Sequence, residues 1–121
     1  MRSKTIQADL VLVANELRTY RETIADVFQE LRPHYEIHCV GPDDLDREIA
    51  RLRPHMVLCS RLTDAVRSLL AWVLLYPDGE NRAEISTAGE RMTLFDVEFD
   101  HLLSILDKIE LLLRGSRVET A

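Results

Sequence analysis

Apolar residues in this chain gather into short runs separated by stretches of helical period, and the alternation repeats. Ala8–Ala14 (ADLVLVA) is a Val-rich run with no polar alternation, the signature of a strand buried on both faces. Tyr20, Ile24, Val27, Phe28 and Leu31 then recur at helical spacing, with Arg21, Asp26, Gln29 and Glu30 free to face water. Thr19 and Glu22 have the spacing of a capping box at the helix start, and Pro33 marks its end. Tyr35–Val40 (YEIHCV) predicts a second strand, followed by the breaker pair Gly41–Pro42. Asp43 or Asp44 can cap the next helix, whose apolar stripe is Leu45, Ile49 and Leu52, and Pro54 closes it. His55–Ser60 (HMVLCS) predicts a third buried strand.

This βαβαβ order favours parallel strands with helices on the faces. Beyond it the pattern shortens. Thr63–Leu70 has room for only about two helical turns. Ala71–Tyr76 (AWVLLY) predicts a fourth strand, and Pro77–Asp78–Gly79 a turn. Arg82–Thr87 is less apolar and is expected to pair antiparallel with the fourth strand as an edge hairpin. The competing arrangement puts a fifth parallel strand near Glu90–Thr93, with an eroded helix before it. Pro77 to Gly89 leaves little room for a crossover helix, so the hairpin is preferred. A last helix is expected from Asp96 or Val97 to Leu113. Its inner face carries Phe95, Phe99, Leu102, Leu103, Leu106, Ile109 and Leu113, while Ile105 and Leu112 are expected to point away; self-association is expected through this helix or through the uncovered edge near the hairpin. Gly115 is expected to end it, leaving a mobile tail from residue 115 onward.

The expected architecture is thus one α/β domain over residues 1–121, with a mostly parallel five-stranded sheet, an antiparallel edge hairpin and shortened crossover helices. A formal charge of −6 argues against general attraction to nucleic acid or anionic membrane. No apolar run reaches membrane-spanning length and no signal peptide is evident, so a cytoplasmic setting is expected. Cys39 and Cys59 end the second and third strands. They show no CxxC spacing. His34, His38, His55 and His101 lack zinc-site spacing, and the chain has no phosphate-binding glycine loop or nucleophile elbow. The expectation is accordingly no metal, no cofactor and no enzymatic activity.

The segment pattern from about Asp9 to Leu113 resembles the receiver domains of two-component signalling proteins. LVLVANE (Leu10–Glu16) is similar to the first strand and the acidic cluster that follows it. RPHMVLCS (Arg53–Ser60) is similar to the strand that ends at the phosphoacceptor, and GERMTLFD (Gly89–Asp96) to the stretch before the last helix. The resemblance implies that Ala14 and Asn15 replace the magnesium-binding acidic pair, with Glu16 retained. It puts Ser60 in place of the acceptor aspartate and Thr93 in place of the lysine. Serine cannot form an acyl phosphate, though a protein kinase could modify it, and alanine offers no ligand. Acid, metal ligand and cation act jointly in phosphoryl transfer, so their joint absence points away from it. What the resemblance implies is a flavodoxin-like three-layer sandwich and a phosphorylation-independent interaction or regulatory module whose partner is another protein or itself. In the receiver-like strand order 2-1-3, Cys39 and Cys59 would lie roughly 10 Å apart across the first strand, too far for a disulfide. The apolar width of the last helix separately points to self-association, expected as a homodimer. The alternative is a small-ligand sensor using Asn15, Glu16, Asp43 and Ser60 at the carboxyl ends of the strands.

Overall fold

A computed structural model of the protein describes residues 9–75 and 80–119. The first apolar run forms β1 (Asp9–Ala14), and Val11 to Ala14 are all buried, which explains why no polar alternation is needed. α1 (Arg18–Leu31) follows and returns the chain to β2 (Tyr35–Cys39), parallel to β1 with Val11 opposite Ile37. The capping box does not form: Leu17 holds the N-cap position and makes no side-chain bond, and Thr19 lies inside the helix. The Arg21 guanidinium instead donates to the carbonyls of Asn15 and Glu16, each at 3.0 Å, pinning the loop to the helix. Ile24, Ala25 and Phe28 form the buried face, while Tyr20 and Leu31 are exposed at the helix ends.

A 3₁₀ turn at Pro42–Asp44 leads into α2 (Leu45–Leu52), which buries Leu45 and Ile49. Asp44 takes the N-cap position without a side-chain cap bond. β3 (Met56–Cys59) is buried throughout and pairs parallel with β1. α3 (Asp64–Arg67) is a single turn, capped by the Thr63 hydroxyl, which accepts from the Val66 N–H at 3.2 Å. It still provides enough crossover for β4 (Ala71–Leu75) to lie parallel to β3. The expected turn at Pro77–Asp78–Gly79 and the strand end at Tyr76 lie outside the described residues.

β5 (Arg82–Thr87) pairs antiparallel with β4, as expected for the hairpin. The segment that the competing arrangement made a parallel strand is also a strand, but an antiparallel one, and it takes Phe95 away from the inner face of the last helix. β6 (Glu90–Phe95) folds back antiparallel on β5, giving the order β2-β1-β3-β4-β5-β6. The sheet is therefore six-stranded and mixed, not five-stranded and mostly parallel. Ala88 (φ 50°) and Gly89 (φ +88°) turn the corner, both in the left-handed region that a two-residue hairpin loop requires. This tight turn needs no crossover, which is why Glu90–Thr93 cannot be the parallel strand of the competing arrangement.

α4 (Phe99–Glu119) runs on through Gly115, so that glycine does not end the helix. Two apolar clusters occupy opposite faces of the sheet. α1 and α4 pack over Val11, Val13, Leu58, Val73, Leu75 and Ile85; α2 and α3 pack over Leu12, Val57, Trp72 and Leu74. Ile105 is 7% exposed and belongs to the first cluster, which corrects its expected place on a self-association surface. The cause is the breadth of the helix face. Leu102, Leu103, Ile105, Leu106 and Ile109 together cover an arc of about 160°, and Ile105 sits at one margin of it. Leu112 lies in α4, but its side chain is outside the described residues. Phe28 and Phe99 meet edge to face at 5.9 Å, and Arg32 makes two 2.7 Å bonds to Asp107, joining α1 to α4 from both sides of the cluster.

Candidate functional site

The parallel strands end in short loops, and the residues after β1, β2 and β3 converge there. Ser60 follows β3 directly, and its Oγ accepts the Glu16 N–H at 2.9 Å, tying the loop after β1 to the end of β3. Next in the chain is Arg61. Its Nε lies 3.1 Å from Glu16 Oε1 and its Nη2 3.5 Å from Asp43 Oδ1. One guanidinium thus spans two carboxylates from different loops. All three side chains are more than half exposed, so each pair contributes at most about 1 kcal/mol, and the arrangement is chiefly a matter of charge placement.

Asn15 faces the other way. It is 2% exposed, and its Nδ2 donates to the Leu75 carbonyl at 3.1 Å, reaching past the end of β3 to β4. Its Oδ1 is buried and has no hydrogen-bond partner among the described residues. An asparagine that bridges two strand ends is a positioning element, and one of its amide hydrogens is spent on that bridge. Ala14 is buried on the opposite face and lines a cleft of about 290 Å³ together with Asp43, Leu45, Cys59, Arg61 and Thr63.

The structure brings Ala14, Asn15, Glu16, Asp43 and Ser60 to one end of the sheet. Thr93 is not among them: it lies exposed in β6 opposite Glu84, with β4 and β5 between its strand and β3. Sequence reasoning missed Arg61. Its position immediately after Ser60 was the available signal, since the residue following a buried parallel strand enters this end of the sheet. It also missed Arg21, which holds the Asn15–Glu16 backbone.

The other candidate groups are engaged elsewhere. Burial pushes the Cys59 thiol up to about 12, so the thiolate needed for nucleophilic or redox work does not form near neutrality. Cys39 is a free, exposed cysteine, and β1 separates it from Cys59. His55 Nδ1 accepts the Leu10 N–H at 2.9 Å, His101 Nδ1 accepts the Glu98 N–H at 3.1 Å, and His34 and His38 lie against Glu110 and Glu36. Among the described residues no group of three or more His, Cys, Asp or Glu side chains could hold a metal ion, and no helix is long and apolar enough to cross a membrane. Arg47 and Arg51 pair with Asp44 and Glu48 along α2, as alternating charges on a solvated helix do.

Fold and site together define an α/β domain with a mixed six-stranded sheet and a polar cluster at the carboxyl ends of its parallel strands. No family model matches the chain, and comparisons with curated proteins and with solved structures find no significant match.

Proposed function

We propose that this chain is a phosphorylation-independent protein-interaction or regulatory module, resembling a receiver with a flavodoxin-like core whose phosphoryl chemistry has been replaced by fixed structure. The observation that carries this reading is the Arg61 guanidinium lying between Glu16 and Asp43. In a receiver, the acidic cluster at this end of the sheet draws magnesium. Here a tethered cation sits between two of the carboxylates, and a divalent ion would have to displace it. Ser60 fits the same reading: its hydroxyl oxygen accepts the Glu16 N–H and serves the loop after β1. With no acyl phosphate to form, regulation would come from binding a protein partner or a second copy, in a cytoplasmic setting.

The test is treatment with a small acyl-phosphate donor and magnesium, read by intact mass and by sedimentation. The expected result is no hydroxylamine-sensitive addition and an unchanged association state. A stoichiometric adduct that hydroxylamine removes would overturn the reading. An adduct that survives hydroxylamine and vanishes in Ser60→Ala would point to serine modification instead.

The cleft of about 290 Å³ beside Arg61 favours a second reading, in which the carboxyl ends of the strands sense a small polar ligand. A thermal-shift screen of nucleotides and small carboxylates tests it. A stabilisation that Arg61→Ala abolishes would favour sensing over interaction.

A further inference from the structure

The sheet ends at β6, and its outer edge carries backbone groups with no strand beside them among the described residues. Their identity follows from the hairpin. A two-residue loop closes on the hydrogen-bonded pair Thr87–Glu90, and such pairs then alternate along an antiparallel ladder. Ile85–Met92 and Ala83–Leu94 are therefore the inward-bonded pairs, and the Asp96 N–H donating to the Asn81 carbonyl at 3.1 Å continues the same phase. The N–H and C=O groups of Arg91, Thr93 and Phe95 consequently point away from β5.

The side chains along this edge are unusually apolar for a free strand. Met92 is 44% exposed and Phe95 69% exposed, and only Leu94 of β6 is half-buried. The opposite edge is guarded differently: β2 carries the exposed Glu36 with His38 against it at 2.6 Å. We propose that β6 pairs antiparallel with β6 of a second copy, joining the two sheets into one across a twofold axis at Thr93.

The occupant is a second copy because the strand is complementary to itself in that register. With Thr93 opposite Thr93, the outward groups of all three residues find partners: Thr93 with its own counterpart, Arg91 with Phe95, and Phe95 with Arg91. On the face covered by α4, Met92 comes opposite Leu94, an apolar pair at a non-hydrogen-bonded position where side chains approach most closely. On the other face Arg91 comes opposite Phe95. The Arg91 guanidinium already lies 5.1 Å from the Trp72 ring centroid, so the second copy's phenyl ring meets a cation held in place by an aromatic platform. Like charges meet only at the margins, where Glu90 comes opposite Asp96. Both copies are acidic, with a formal charge of −6 each, so added salt strengthens this association by screening their repulsion.

This deepens the interaction reading by naming a partner and a surface, and it rests on that reading only for its purpose; its geometry is independent of the Arg61 cluster. Sedimentation across a concentration series is expected to show a monomer–dimer equilibrium that shifts toward dimer with salt. Trp72, the single tryptophan, is expected to change its emission over the same concentration range. Thr93→Pro removes one outward N–H per copy and no bond to β5, so it is expected to raise the dissociation constant about tenfold or more with an unchanged circular-dichroism spectrum. Phe95→Lys, which leaves the backbone donors in place and brings a second cation opposite Arg91, is expected to weaken the dimer too and serves if the proline variant fails to fold. A monomer throughout, or a dimer that persists unweakened in a folded variant, would overturn the β6 proposal. Neither outcome would bear on the acyl-phosphate result, so the two proposals fail separately.

Discussion

Ile105 gives the most direct test of how α4 meets the sheet. The side chain is 7% exposed and packed in the α1/α4 cluster, while Leu111 on the same helix is 69% exposed. Ile105→Ala deletes three carbon groups. At about 0.8 kcal/mol each, the lost burial alone is about 2.4 kcal/mol. The cavity left among Leu102, Leu106 and Ile109 adds to this, since neighbours on one rigid helix collapse only partly, giving about 3–4 kcal/mol in all. With a urea slope of about 1–3 kcal/mol per molar for a small domain, the unfolding midpoint should fall by about 1–4 M. Leu111→Ala should change the stability by no more than about 0.5 kcal/mol. Equilibrium urea unfolding followed by circular dichroism is the assay, with all variants at one protein concentration because self-association would otherwise enter the comparison. Ile105→Glu should go further and abolish the folded signal, because a carboxylate would be forced into an apolar cluster with no partner. A folded Ile105→Glu of near wild-type stability that had lost only its self-association would refute the reasoning and return Ile105 to an interface.

Three other outcomes follow from particular contacts. A thiol reagent at pH 8 should modify Cys39 in the native protein and reach Cys59 only on unfolding; with a pKa of about 12, the Cys59 thiolate fraction there is about one in ten thousand, and rapid native labelling of both thiols would contradict its burial. The Asp107 carboxyl is held below its usual range by its hydrogen bonds to Arg32, so its contribution is complete above the unfolded value of about 3.9 and is lost as pH falls through the depressed folded value. Asp107→Asn should therefore lower stability at pH 7 and flatten its decline between about pH 5 and 2; urea midpoints against pH that run parallel to wild type would exclude the pair as a contributor. Ala88 holds φ 50° without being glycine, so Ala88→Gly should stabilise the β5–β6 hairpin by about 1 kcal/mol, whereas Gly89→Val at φ +88° should destabilise it by at least that much; thermal unfolding that moved in the opposite sense for either would refute the turn geometry.

Local pattern decided a great deal of this molecule. The apolar runs of β1 and β3 became strands buried on both faces, because a strand under two helical layers has no solvent side and so no alternation, whereas β2 at the sheet edge leaves Glu36 and Cys39 exposed. Pro33 and Pro54 follow the two early helices closely, since a helix rarely continues through a residue that lacks an N–H and clashes with the preceding turn. The short span between Ala71 and Thr87 left room for a hairpin and not for a crossover, so the antiparallel pairing was legible from length alone. Ala14, Asn15, Glu16, Asp43 and Ser60 could be placed at one end of the sheet because residues that follow parallel strands share that end.

What the sequence could not decide were contacts between segments whose local patterns are silent about each other. Glu90–Phe95 mixes charged and apolar residues and carries no strong strand period; β5 made it a strand by supplying a hydrogen-bonding edge, and its place beyond β5 took Thr93 away from the cluster. Ile105 lies at the margin of the helix stripe, where side-chain phase alone is ambiguous, and the breadth of the sheet beneath α4 buried it. Arg61 is one arginine among many until the loops after β1 and β2 bring Glu16 and Asp43 to its two sides. In each case the deciding quantity was a distance between residues far apart in sequence, which hydrophobic periodicity does not encode and strand order does.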